Sequence, residues 1–143
     1  DSKIDRGVFE PGHQIIVPNG KLCSCGGKGH LEAYISGSSI EKQYKRKPKE
    51  ITDLKIWEDA ARFLAYGAHN AIVFWSPDII VLGGSMIIKS PGISVDAVKS
   101  CMLEISAPFP KIPPIKKAVL GDWGGLYGGL ELIKQAKFPT KLQ

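Results

Sequence analysis

Four side chains near the start of the chain carry its strongest chemical signal. His13, Cys23, Cys25 and His30 are spaced His-x9-Cys-x-Cys-x4-His. Two imidazoles and two thiolates match the tetrahedral preference of zinc, and a sphere closed by four protein ligands is structural rather than catalytic. A disulfide between Cys23 and Cys25 would be strained across the single intervening residue, so thiolates on a metal are the better account. That use of cysteine favours a reducing, cytoplasmic compartment. Gly12, Gly26, Gly27 and Gly29 flank the ligands where the chain must fold back on itself. Cys101, the third cysteine, sits in the apolar run Val98–Ile105 and reads as a small buried side chain.

Two carboxylates accompany the four ligands. Glu10 precedes His13 by three residues, and Glu32 follows His30 by two. Neither is needed to complete a zinc sphere. An ionised carboxylate accepts several hydrogen bonds, so a pair fixed beside a metal-ordered loop suits a ligand rich in hydroxyl donors, such as a sugar.

The elements that must position these groups can be read from periodicity. Gln14–Val17 reads as a strand, Pro18-Asn19-Gly20 as a turn, and Lys21-Leu22 as the start of a return strand. Leu31 to about Ile35 suggests a short helix stopped by Ser36-Gly37-Ser38, and Ser38–Tyr44 a second one; the basic segment with Pro48 is a loop. A long helix is expected from about Leu54 to Phe74, capped by Asp53 or Thr52. Its face would comprise Ile56, Ala60, Phe63, Leu64, Gly67, Ala71 and Phe74. Ser76-Pro77-Asp78 breaks it, and Ile79–Leu82 reads as a buried strand ending at Gly83-Gly84. A helix near Ser94–Ile105, an extended connection through Pro108, Pro110, Pro113 and Pro114, and a strand over Ile115–Leu120 follow. The last helix runs from Trp123 to about Ala136 with Asp122 as N-cap. This order predicts an α/β layer with parallel strands. Two or three strands are few for a complete sheet, which points to part of a larger α/β body.

Composition narrows the class. At 143 residues, 43% hydrophobic and 23% charged, the chain is long enough for one domain with a real core. No apolar run approaches the ~20 residues of a membrane span, and the opening does not read as a signal peptide. Lacking an initiator methionine, it is expected to be a processed, tagged or excised fragment. The net charge of +5 is concentrated in Lys42, Lys45, Arg46, Lys47 and Lys49, with a second group at Lys111, Lys116 and Lys117. Apart from Tyr44 the first cluster lacks the interleaved aromatics of a base-stacking platform, so it reads as a solvated surface and not as a nucleic-acid site.

These residues resemble the ROK (repressor, open reading frame, kinase) family of bacterial-type sugar kinases and related repressors. The family pattern, roughly E-x-G-H and then C-x-C-G-x-x-G-C-x-E, is met by Glu10-Pro11-Gly12-His13 and by Cys23-Ser24-Cys25-Gly26-Gly27-Lys28-Gly29-His30-Leu31-Glu32. Leu31–Gly37 looks like the family's L-E-x-Y-x-S-G, Val81–Ser85 like its V-L-G-G-G turn, and Leu120 through Gly129 like its closing glycine-rich motif. His30 stands where the family usually has a third cysteine; imidazole is an acceptable zinc ligand, giving a His2Cys2 sphere.

The resemblance implies the C-terminal lobe of an actin/hexokinase-type (ribonuclease H-like) ATPase fold with a zinc-stapled loop. It implies one lobe over 1–143, with the zinc and sugar loop at about 8–37, an α/β nucleotide-side portion at about 52–137, and no N-terminal lobe. Glu10, His13 and Glu32 would contact sugar hydroxyls, with one His13 nitrogen on zinc and the other toward the sugar. Gly83 and Gly84 would let backbone approach ATP. The family's D-x-G-G-T turn and N-D-x-N segment, whose Asp is the general base, do not occur here, so no catalytic residue is expected in this chain and it should be inactive alone.

The implied whole protein is an ATP- and Mg²⁺-dependent kinase of a hexose or N-acetylhexosamine. The alternatives are a sugar-sensing ROK repressor, which alone would involve nucleic acid, and a zinc-stapled module without a small ligand. The resemblance also implies a homo-oligomer, a dimer in the simplest case, with no membrane partner.

Overall fold

The computed structural model describes residues 10–106 and 111–137. A ligand-rich loop opens with a 3-10 turn at Pro11–His13 and leads into two short helices, α1 (Glu32–Ile35) and α2 (Gly37–Tyr44). The long α3 (Leu54–Trp75), β1 (Ile80–Leu82), α4 (Ser85–Ile88), α5 (Val95–Ile105), β2 (Ile115–Lys117) and α6 (Gly124–Lys137) follow. The two strands pair in parallel, Ile80 opposite Ile115 and Leu82 opposite Lys117, as a β-α-β order requires.

Local chemistry explains the helix starts. Ser36 accepts from the Ser39 amide at the head of α2, Asp53 from the Lys55 amide at the head of α3, and Ser94 from the Ala97 amide at the head of α5. Each oxygen satisfies an amide that has no partner inside its helix. Ser36 is therefore a start signal for α2 rather than only a stop for α1.

The core lies between α3, α5 and the inner side of the strand pair. Trp57, Ala60, Ala61, Ala65 and Ala68 of α3 meet Val98 and Met102 of α5, with Leu82, Ile87, Ile93 and Ile115 closing the cluster. Of the expected face of α3, Ala60 and Gly67 are buried and Ile56 and Leu64 pack against the cluster, while Trp57, Ala61, Ala65 and Ala68 were not anticipated. Small residues are buried because two helices approach closely there, whereas Phe74 is 77% exposed and Phe63 leans away to stack on Tyr34 at 4.2 Å. Val98 and Met102 are sealed from solvent, each worth ~1.5–3 kcal/mol in burial.

Several other expectations shift. Gln14–Val17 does not pair with Lys21-Leu22. Ile15 bridges His30 and Leu22 bridges Lys28, because Ile16 and Val17 both donate to the Gly29 carbonyl across the loop. The strand at Ile79–Leu82 is only half covered, with Val81 58% exposed, and β2 ends at Lys117. The segment around Pro48 holds a 3-10 turn, Pro48–Glu50. Asp122 lies inside a 3-10 turn, Gly121–Trp123, and does not cap α6. Helix α4 carried no sequence signal of its own. Pro108 and Pro110 of the expected extended connection lie outside the described residues.

The Trp57 indole donates to the Ile51 carbonyl at 3.0 Å inside the core. Trp57→Phe removes the donor while keeping an aromatic ring, so the carbonyl loses its partner. The expected loss is ~1–3 kcal/mol, read as a lower denaturant midpoint at unchanged slope. A midpoint within experimental error of the parent would contradict this account of the core.

Candidate functional site

The loop from Glu10 to Glu32 brings the sequence-predicted ligands to one point. One donor atom from each of His13, Cys23, Cys25 and His30 lies within 4.8 Å of all the others. A tetrahedral zinc with bonds of 2.0–2.3 Å needs its ligand atoms roughly 3.3–3.8 Å apart, so small side-chain rotations bring this set into range. Cys25 Sγ and His30 Nδ1 are already at 3.2 Å. The donor set is what zinc takes, and these four residues could hold it.

The backbone enforces this convergence. Gly29 has φ +75, and a β-carbon there would lie 1.8 Å from the Val17 carbonyl oxygen. Only glycine lets the two arms of the loop approach this closely. The Cys23 amide donates to the Gly27 carbonyl at 2.8 Å, and the Gly26 amide to the Cys23 carbonyl at 3.0 Å. This tight turn folds the two cysteines back toward His30. The Cys25 backbone amide, helped by the Cys25 and Ser24 side chains, holds the Cys23 thiol below its usual range; burial and the Glu32 charge oppose it. The net direction favours the thiolate, the form that ligates metal.

The predicted carboxylates both reach His13. Glu10 Oε2 is 3.0 Å from Nδ1, and Glu32 Oε2 is 3.2 Å from Nε2. Both ring nitrogens therefore face a carboxylate here. Glu32 also accepts from the Ser24 hydroxyl through Oε1, at 3.1 Å. Ser24, between the two cysteines, escaped sequence reasoning, although its place in Cys-Ser-Cys left it nowhere to point but along the loop.

Gln14 was also missed. Its side chain donates to the carbonyls of Pro11 and Gly67 and accepts from Asn70, and its carbonyl accepts from the Leu31 amide. This amide ties the loop to the middle of α3.

Gly83 and Gly84, the predicted nucleotide-side residues, stand across a cavity from the carboxylate. A cavity of about 380 Å³ is lined by Gly12, Glu32, Ser36 and Gly37 and also by Gly83, Gly84 and Ser85. Gly84 has φ +86, a conformation that exposes backbone to the cavity with no side chain in the way.

The ROK family model matches residues 1–136. An N-acetyl-D-glucosamine kinase of Haemophilus influenzae is 32% identical over 126 residues, covering 78% of this chain and 41% of that protein. The ROK hexokinase of Thermus thermophilus superposes with a TM-score of 0.79 at 26% identity, over 90% of this chain and 49% of that one. A ROK family glucokinase of Streptomyces griseus, solved with glucose and AMPPNP, shares the fold with a TM-score of 0.62 at 19% identity, over 88% of this chain and 51% of that one. The chain thus spans about half the length of the relatives it matches.

Two substitutions test the loop. The parent chain should take up one zinc in metal analysis, and His30→Ala should lose it and melt at a lower temperature; zinc content unchanged by the substitution would remove His30 from the ligand set. Gly29→Ala should destabilise the chain by ~2–4 kcal/mol, from left-handed strain plus overpacking against Val17. Unfolding of the metal-free protein measures this, and a loss below ~1 kcal/mol would show that the loop relaxes.

Proposed function

The chain belongs to the ROK family, and from that premise we propose that it is the C-terminal, sugar- and zinc-bearing lobe of an ATP-dependent kinase of a hexose or N-acetylhexosamine. The observation that carries this reading is the shared cavity, lined by Glu32 and Gly12 and also by Gly83, Gly84 and Ser85. A phosphoryl-transfer enzyme needs its acceptor hydroxyl and its nucleotide phosphates along one line. Here a hydroxyl-accepting carboxylate and a turn of exposed backbone line one cavity.

In this reading zinc is structural, held by His13, Cys23, Cys25 and His30. It freezes the loop so that Glu10, His13 and Glu32 meet sugar hydroxyls in a fixed geometry. Gly83 and Gly84 receive ATP phosphates accompanied by Mg²⁺. The general base is a carboxylate outside this chain, so the lobe binds and orients without completing the chemistry. The half-open strand pair and the exposed apolar residues Trp123, in the turn before α6, and Leu126 and Leu130, within α6, support a lobe that completes its core against more protein. The glucose and AMPPNP of the Streptomyces griseus enzyme and the amino-sugar substrate of the Haemophilus influenzae relative support this ligand class. The sugar-contacting residues alone would serve a sugar-sensing repressor equally; the glycine turn across the cavity favours the kinase.

The test is sugar binding to the zinc-loaded chain by saturation-transfer NMR with glucose and N-acetylglucosamine. Transfer to the sugar protons is expected, and Glu32→Gln should weaken binding ten- to a hundredfold by removing charge-assisted hydrogen bonds worth ~1.5–3 kcal/mol. Equal transfer in parent and variant would take Glu32 out of the sugar site. No transfer from either sugar would overturn the reading.

A further inference from the structure

A second cavity shares no lining residue with the Glu32–Gly84 cleft. It measures about 590 Å³ and is lined by Lys21, Lys42 and Lys45 together with Ser24, Ser38 and Ser39. Two parts of the chain build it: Lys21 on the return arm of the loop, and Lys42 and Lys45 from the last turn of α2 and the left-handed residue that ends it. Ser38 and Ser39 come from the opposite end of α2. Lys42 and Lys45 belong to the basic cluster that the sequence presents as plain surface. The fold separates them from Lys47 and Lys49, which line a different cavity.

Its charge is uncompensated. The lining includes no carboxylate, and among the described residues none of these three lysines forms an ion pair. The Lys21 ammonium has only neutral partners: it donates to Gln43 Oε1 and lies 4.8 Å from the centre of the Tyr34 ring. An ammonium without a carboxylate partner favours any anion that reaches it. Three ammonium groups suit a dianion, and serine hydroxyls add neutral donors. The volume lies in the range of small-molecule sites, and the lining has no aromatic face on which a nucleic-acid base would stack.

We propose that this cavity is a phosphate site, in which Lys21, Lys42 and Lys45 and the Ser38 and Ser39 hydroxyls hold a phosphate group, either free or as a monoester of a small molecule. It stands independently of the kinase reading, since it uses none of Glu10, His13, Gly83 or Gly84. The Ser24 hydroxyl, which lines this cavity and donates to Glu32, is the one group the two sites share.

The experiment titrates the full chain, zinc-loaded and ¹⁵N-labelled, with inorganic phosphate, glucose 6-phosphate and, as the neutral control, glucose. Saturable shifts are expected at the amides of Lys21, Ser38, Ser39 and Lys42 with both phosphates. The tighter of the two identifies the source, free phosphate or monoester. Replacing Lys42→Gln and Lys45→Gln together should raise Kd at least tenfold. The pair Lys47→Gln and Lys49→Gln removes the same charge outside the cavity and should change Kd by less than twofold. Equal weakening by the two pairs would reduce the effect to general surface charge and overturn the proposal. So would the absence of saturable shifts at these amides with either phosphate.

Discussion

An imidazole has two nitrogens, and the neighbourhood of His13 makes three demands on them. Glu10 faces one and Glu32 faces the other, while Cys23, Cys25 and His30 gather close enough to share a metal with it. A metal bond consumes the lone pair of one nitrogen. A metal held by the four ligands therefore obliges one carboxylate to release the ring. The released carboxylate must turn away from that nitrogen to make room for the ion, and its oxygens are then free to accept from other donors. In the proposed reading, metal and sugar are coupled through this exchange, with no large movement of the backbone.

For that exchange to be useful the loop must be referred to a rigid body, and α3 is that body. Gln14 reaches the Gly67 carbonyl and Asn70 on one side of the helix, while Phe63 meets Tyr34 beneath the loop. The alanines of α3 that face α5 lock the helix to the layer that carries β1 and the Gly83-Gly84 turn. Position is thus passed from the ligand loop through α3 to the glycine turn by packed side chains. Glu32 and the glycine turn, which line one cavity, are thus both referred to the same helix.

Much of this was legible in the residues. Ligand spacing singled out His13, Cys23, Cys25 and His30, whose donor atoms the fold brings within 4.8 Å of one another, and the Asp53 cap marked a helix start. The β-branched run before Gly83-Gly84 marked the strand, and the ROK resemblance named the family. The failures share a cause. The face of α3 was partly misassigned because hydrophobicity ranks Phe74 above Ala61, while the close approach of α5 admits only small side chains. The pairing of Ile15 with His30 depends on which amides reach the Gly29 carbonyl, a distance that periodicity does not carry. Ser24 and Gln14 are polar residues of ordinary type, and only their placement against Glu32, Gly67 and Asn70 gives them a role. The grouping of Lys42 and Lys45 with Lys21, and apart from Lys47 and Lys49, is likewise a product of the turn after α2.

The ligand loop and the strand pair also differ in how far the chain must travel to make them. All four candidate ligands fall between His13 and His30, so bringing them together closes one short loop and costs little chain entropy. The parallel pairing of Ile80 with Ile115 must wait until α4 and α5 have been laid down between the strands, and such non-local contacts form slowly. The ligand loop is thus closed by local contacts alone, whereas the layer that bears the glycine turn depends on residues far apart in the chain.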